Sequence, residues 1–96
     1  MFWYDGTLSE KENLEFALND PGLIYGATVF TTLRVYGNDL DHPLTNWQAH
    51  CDRLSSSLET FDWVSPNWER LRLGAEVLKV SYPILRITLF PDGREW

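Results

Sequence analysis

Phe30, Thr32 and Arg34 carry the first chemistry that the sequence offers, within YGATVFTTLRVYG at residues 25–37. In an extended chain, side chains alternate between two faces, so these three share one face and Val29, Thr31, Leu33 and Val35 share the other. A ring, a hydroxyl and a guanidinium side by side suit an anionic, partly apolar ligand. A plain solvent-facing sheet has the same pattern, and alternation alone favours that simpler reading. The second set is HCDRL, residues 50–54. His50 and Arg53 stand three apart in a helical pattern and so neighbour each other on one side. Arg53 offers a planar, permanently charged fork that matches phosphate or carboxylate. A surface ion pair with Asp52 or Glu59 competes for it. His50 lies beside the apolar stripe, in a half-buried, hydrogen-bonded position more typical of structure than of catalysis.

The rest of the chemical inventory is thin. Lys11 and Lys79 are the two lysines, and neither has the apolar setting that lowers an amine's pKa for imine chemistry. Ser55, Ser56 and Ser57 read as a solvated helix face, and His42 beside Pro43 as a loop residue. Cys51 falls on an apolar stripe and reads as a small core residue. There is no glycine-rich phosphate loop and no metal-ligand spacing. The chain holds half a site at most.

The elements that must position these residues follow from periodicity. FWYD at 2–5 reads as a short strand, with Asp5-Gly6 turning into Thr7-Leu8. Residues 9–19 read as a strand edge or a loop, and Asn19-Asp20-Pro21-Gly22 as a turn. Residues 28–36 form the strand of the first set, Gly37-Asn38-Asp39 a hairpin turn, and Leu40 the start of a return strand. Trp47, Cys51, Leu54, Leu58 and Phe61 then fall at helical spacing, capped by Thr45 or Asn46. Ser65 as cap and Pro66 at the first helical position open a second helix, with a stripe of Trp68, Leu71, Ala75 and Leu78. Tyr82-Pro83 ends it. ILRITLF at 84–90 alternates as a strand, with Leu85, Ile87 and Leu89 on one face and Arg86 and Thr88 on the other. The order predicts a small α+β unit, a mostly antiparallel sheet with two helices on one face.

Composition bounds the function. Ninety-six residues, 44% hydrophobic and 23% charged, suit one soluble domain with one modest core. A net charge of −6 argues against nucleic acid and an anionic membrane surface as partners. A single cysteine excludes an internal disulfide framework. No spanning run or signal-peptide layout is present, so a cytoplasmic protein is the expectation. Aromatic residues make up 15% of the chain, more than one small core needs, and aromatics are enriched in interface cores. The Pro91-Asp92-Gly93 turn leads into only Arg94-Glu95-Trp96, which suggests the N-terminal part of a longer protein.

LIYGATVFTTLRVY, followed by the His and Arg-Leu spacing of LTNWQAHCDRLSSSL, then a strand, a turn and an arginine, resembles a known family. It is similar to the N-terminal small domain of the class IV pyridoxal-phosphate aminotransferases, of fold type IV, from about Tyr4 to Arg94. That family includes branched-chain and D-amino-acid aminotransferases and 4-amino-4-deoxychorismate lyase. Aminotransferases usually carry Glu directly after the aromatic. Here Phe30 is followed by Thr31-Thr32, which looks more like the lyase, an enzyme of the folate route that eliminates pyruvate and leaves 4-aminobenzoate.

The resemblance implies roles position by position. Arg53 would hold the cofactor phosphate. Tyr25 and Phe30 would line the substrate pocket, and Thr32 would share that side. Arg94 would hold a substrate carboxylate, although Phe90-Pro91-Asp92-Gly93 departs from the glycine-rich loop common in lyases. His50 would be structural. The Schiff-base lysine would lie in a larger C-terminal domain beyond Trp96, so residues 1–96 would be an N-terminal small domain, inactive alone. The parent would take pyridoxal phosphate and a small-molecule substrate and act as a homodimer. Two other readings stay open: the same domain from a branched-chain or D-amino-acid aminotransferase, and a non-catalytic interaction module.

Overall fold

The computed structural model describes residues 1–11 and 28–96. Tyr25, the 19–22 turn and most of the 9–19 segment lie outside the described residues. The described elements run β1 (Phe2–Tyr4), β2 (Thr7–Ser9), β3 (Val29–Arg34), α1 (Trp47–Phe61), α2 (Trp68–Leu78) and β4 (Ile84–Leu89). Both strand ladders are antiparallel, β1 with β2 and β3 with β4, which gives the expected small α+β architecture. Asp5 and Gly6 both take positive φ, 46° and 92°, the pair of values a tight type I′ hairpin demands.

The β3–β4 register places Val29 opposite Leu89, Thr31 opposite Ile87 and Leu33 opposite Leu85 on the inner face. That face, with Trp47, Cys51, Leu54 and Leu58 of α1 and Leu71 and Ala75 of α2, forms one apolar core. Leu33, Leu58 and Leu89 are almost fully enclosed, and each such side chain contributes about 1.5–3 kcal/mol of apolar burial. The α1 stripe is therefore the expected one, except at its end. Phe61 is exposed, because Asp62 takes a left-handed conformation (φ 56°) that closes α1. The turn brings Trp63 against the core in its place, with its N–H donating to the Leu58 carbonyl at 2.9 Å.

Two further expectations are corrected. Leu40 starts no return strand: only Tyr36 and Asp39 bridge, and the chain winds directly into the α1 cap. Leu40 is wholly buried there, and its carbonyl accepts from Trp47 N–H at 3.1 Å. Of the two cap candidates for α1, Asn46 caps, its side chain accepting from Ala49 N–H. Thr45 is instead buried and accepts from Tyr36 N–H at 2.9 Å, tying the end of β3 to the start of α1. The second helix begins later than Ser65-Pro66 implied. Val64 N–H donates to the Pro91 carbonyl, which holds this segment extended, and Asn67 caps α2 by accepting from Arg70 N–H at 3.0 Å.

The last residues complete the sheet. Thr88 and Trp96 exchange two main-chain hydrogen bonds, and Leu89 bridges to Glu95. Asp5 N–H donates to the Glu95 carbonyl at 2.8 Å, joining the first hairpin to this ladder. The Glu95 side chain is fully enclosed, and Arg70 meets both its oxygens, at 2.7 and 3.0 Å, while also reaching Asp5 at 2.7 Å. No helix among the described residues is long and apolar enough to cross a membrane.

Candidate functional site

The outer face of the β3–β4 ladder is the candidate site. Register sets Phe30 opposite Thr88, Thr32 opposite Arg86 and Arg34 opposite Ile84 on that face. Phe30 stands 59% exposed, an unusual place for a large ring. The Arg86 guanidinium lies 4.3 Å from its centroid, within the range of a cation–π contact. Arg34 lies over the Tyr36 ring at 5.8 Å. The face thus presents two guanidinium groups, a ring and the Thr32 hydroxyl, with no carboxylate among the described residues paired there, on a chain of net charge −6.

Arg70, Arg72 and Lys79 are paired with carboxylates. Arg72 grips both oxygens of Asp41 and also meets Glu76, Lys79 pairs with Glu76, and Arg70 is committed to Glu95 and Asp5. Arg94 is likewise engaged: it meets Asp92 at 2.8 Å, donates to the Tyr4 hydroxyl at 2.8 Å and lies over the Phe90 ring. These partners lie at the 90–94 turn and in the first hairpin. Arg34, Arg53 and Arg86 are the arginines with no carboxylate partner among the described residues.

Arg53 comes to β3 from the helix side. One of its terminal nitrogens lies 2.8 Å from His50 Nδ1 and 3.4 Å from Thr31 Oγ1, and Thr31 Oγ1 lies 2.7 Å from the same Nδ1. A guanidinium only donates, so Nδ1 accepts, the Thr31 hydroxyl donates to it, and the imidazole is neutral with its proton on Nε2. Burial lowers the His50 pKa below its ordinary value, and the nearby Arg53 charge lowers it further. The expected ion pair with Asp52 or Glu59 does not form: Asp52 accepts from Gln48 instead. The rest of the exposed Arg53 fork is open to an anion.

The structure therefore brings Phe30 and Thr32 together on one face and sets Arg53 at Thr31, on the opposite, helix-facing side of β3. Arg94 lies over the Phe90 ring, two residues along the chain from Thr88, the residue opposite Phe30. Sequence reading had put Arg86 on the polar side of its strand without giving it a role. Only the register shows that it faces Thr32 and covers Phe30. His50 is half-buried and hydrogen-bonded as expected, and it meets Arg53. Cys51 is buried, and burial pushes its thiol pKa up to about 11, which suits a core residue and not a nucleophile. Comparison of the chain with protein-family models, curated proteins and solved structures finds no match.

Proposed function

We propose that this chain is the small domain of a pyridoxal-phosphate lyase of the class IV aminotransferase family, one that converts 4-amino-4-deoxychorismate to 4-aminobenzoate and pyruvate. The observation that supports it is the outer face of β3 and β4, with Arg86 over the Phe30 ring, Arg34 beyond Thr32 on the same face, and no acidic residue among the described residues paired there. The substrate is a six-membered ring bearing two carboxylates. A ring stacks on an exposed aromatic, and a guanidinium fork pairs with each carboxylate. Thr32, opposite Arg86, supplies a hydroxyl that orients the ligand between them.

The residues present also fit the cofactor's phosphate. Arg53 has neutral partners on one side, His50 and Thr31, and no carboxylate among the described residues. A neutral His50 accepts from Arg53 and so fixes the fork without neutralising it. Bound pyridoxal phosphate supplies an electron sink for the charge left when a substrate bond breaks. This chain's own part is to bind, orient and screen the substrate from water. Lys79 is held by Glu76, and Lys11 is exposed at the surface. The reactive lysine on this reading comes from a further segment of the natural protein, which acts in the cytoplasm as a homodimer.

The natural full-length protein, mixed with 4-amino-4-deoxychorismate, should release 4-aminobenzoate without an added keto acid. Activity that appears only with a keto acid would move the reading to an aminotransferase. Arg53→Ala should lose pyridoxal absorbance on dialysis, whereas Arg86→Gln should retain it and raise the KM about tenfold, the scale of one charge-assisted hydrogen bond. Full cofactor retention by Arg53→Ala would remove Arg53 from this role.

A further inference from the structure

β4 is paired along only part of its outer edge. Thr88 exchanges main-chain hydrogen bonds with Trp96 at 2.7 and 2.8 Å, and Phe90 N–H donates to the Arg94 carbonyl at 3.0 Å. Main-chain groups of a strand point to alternate edges, so the next outward residues are Arg86 and Ile84. The opposite edge faces β3, as the Val35 N–H to Pro83 carbonyl bond at 2.7 Å confirms. The outward N–H and C=O groups of Arg86 and Ile84 meet no main-chain partner among the described residues. Unpaired edge groups in line with an existing ladder are a template for another strand.

A cleft of about 660 Å³ opens beside this edge, lined by Trp3, Leu71, Leu78, Tyr82 and Leu85 among others. Arg86 is the one charged side chain among the described residues that line it. We propose that this edge is a strand-addition site for an extended segment of a partner protein. The segment runs antiparallel to β4, in the direction and line of residues 94–96. Pairing fixes its side chains. The residue opposite Arg86 lies on the outer face beside a guanidinium without a carboxylate partner, and is acidic. The next residue turns into the cleft and is large and apolar. The one after it meets the exposed Ile84 and is apolar. The site shares the Arg86 side chain with the proposed substrate face, but its main-chain pairing does not use that face, so the methylated peptides test it whatever the outcome of the lyase assay.

The probe is a capped pentapeptide, acetyl-Ile-Glu-Leu-Val-Thr-amide, titrated into the 96-residue chain carrying isotope-labelled amides. Shifts at Ile84, Arg86 and Leu85 amides should saturate. N-methylation of the peptide's Glu or Val nitrogen, which faces β4, should weaken binding about fivefold or more by removing a ladder hydrogen bond. N-methylation of its Leu nitrogen, which faces away, should change binding by less than about twofold. Replacing the Glu with Lys should also weaken binding. Equal losses from both methylations would reveal a merely greasy contact and overturn the proposal. So would absence of saturation, or a dimer of the free chain that the peptide dissociates, which would assign the edge to a second copy.

Discussion

His50 shows how one neighbour sets the state of another. Its pKa lies below the ordinary 6.5, through burial first and the Arg53 charge second. The unfolded chain therefore takes up a proton at a higher pH than the folded one does. The contribution of this residue to stability is full above about pH 6.5 and is lost as pH falls through the folded value. A ring-proton titration by NMR should give a midpoint below 6.5, and Arg53→Gln should raise it part of the way, because burial remains. A wild-type midpoint at or above 6.5 would contradict the geometry. Arg70 is the second residue with a large consequence. Arg70→Ala would leave the enclosed Glu95 carboxylate without its fork. Because Arg70 is itself partly exposed, the expected loss is about 2 kcal/mol, below the ~3–5 of a fully buried pair. Denaturant unfolding measures it, and a change under about 0.5 kcal/mol, the level of an ordinary surface substitution, would show the pair to be incidental.

Among the elements, Gly74 is where α2 meets the first hairpin. A Cβ there would lie 2.6 Å from Trp3 ring atoms, including the ring carbon nearest the Trp3 backbone, so the ring cannot swing clear. Alanine gains about 1 kcal/mol of helix propensity over glycine, but overpacking costs about 1–3 kcal/mol. Gly74→Ala should therefore destabilise and shift the tryptophan emission, and a stabilised variant with unchanged emission would show the hairpin to pack loosely. Helix and strand identities were legible because Trp47, Cys51, Leu54 and Leu58 keep a helical period, and Leu85, Ile87 and Leu89 an alternating one. Features fixed by distant contacts were not. Asn67 caps α2 only because Val64 is strapped to Pro91. The site was half legible: the Phe30 face followed from alternation, but Arg86 needed the register between strands more than fifty residues apart. The Arg70–Glu95 pair had no local signal at all.

At the scale of the whole molecule, charge is unevenly spread. The chain carries −6, yet the described residues paired on the β3–β4 outer face supply cations and no carboxylate. An anion approaching that face is drawn by a local field opposite in sign to the net charge. The enclosed part of the fold depends on its last residues. A chain stopped after Gly93 would lose the Glu95–Arg70 pair, both Thr88–Trp96 hydrogen bonds and the Arg94–Tyr4 contact. Such a truncation should unfold non-cooperatively or remain molten, with near-ultraviolet circular dichroism as the readout. A sharp transition like that of the 96-residue chain would show these contacts to be dispensable.

The link from Asp5 through Arg70 to Glu95 also orders events during synthesis. The first hairpin leaves the ribosome early, but its docking surface on α2 emerges some seventy residues later, and its main-chain partner only at Glu95. Translation proceeds at about 5–20 residues per second. The aromatic side chains of Phe2, Trp3 and Tyr4 therefore wait in solution for several seconds, exposed to chaperones, before the chain can close over them.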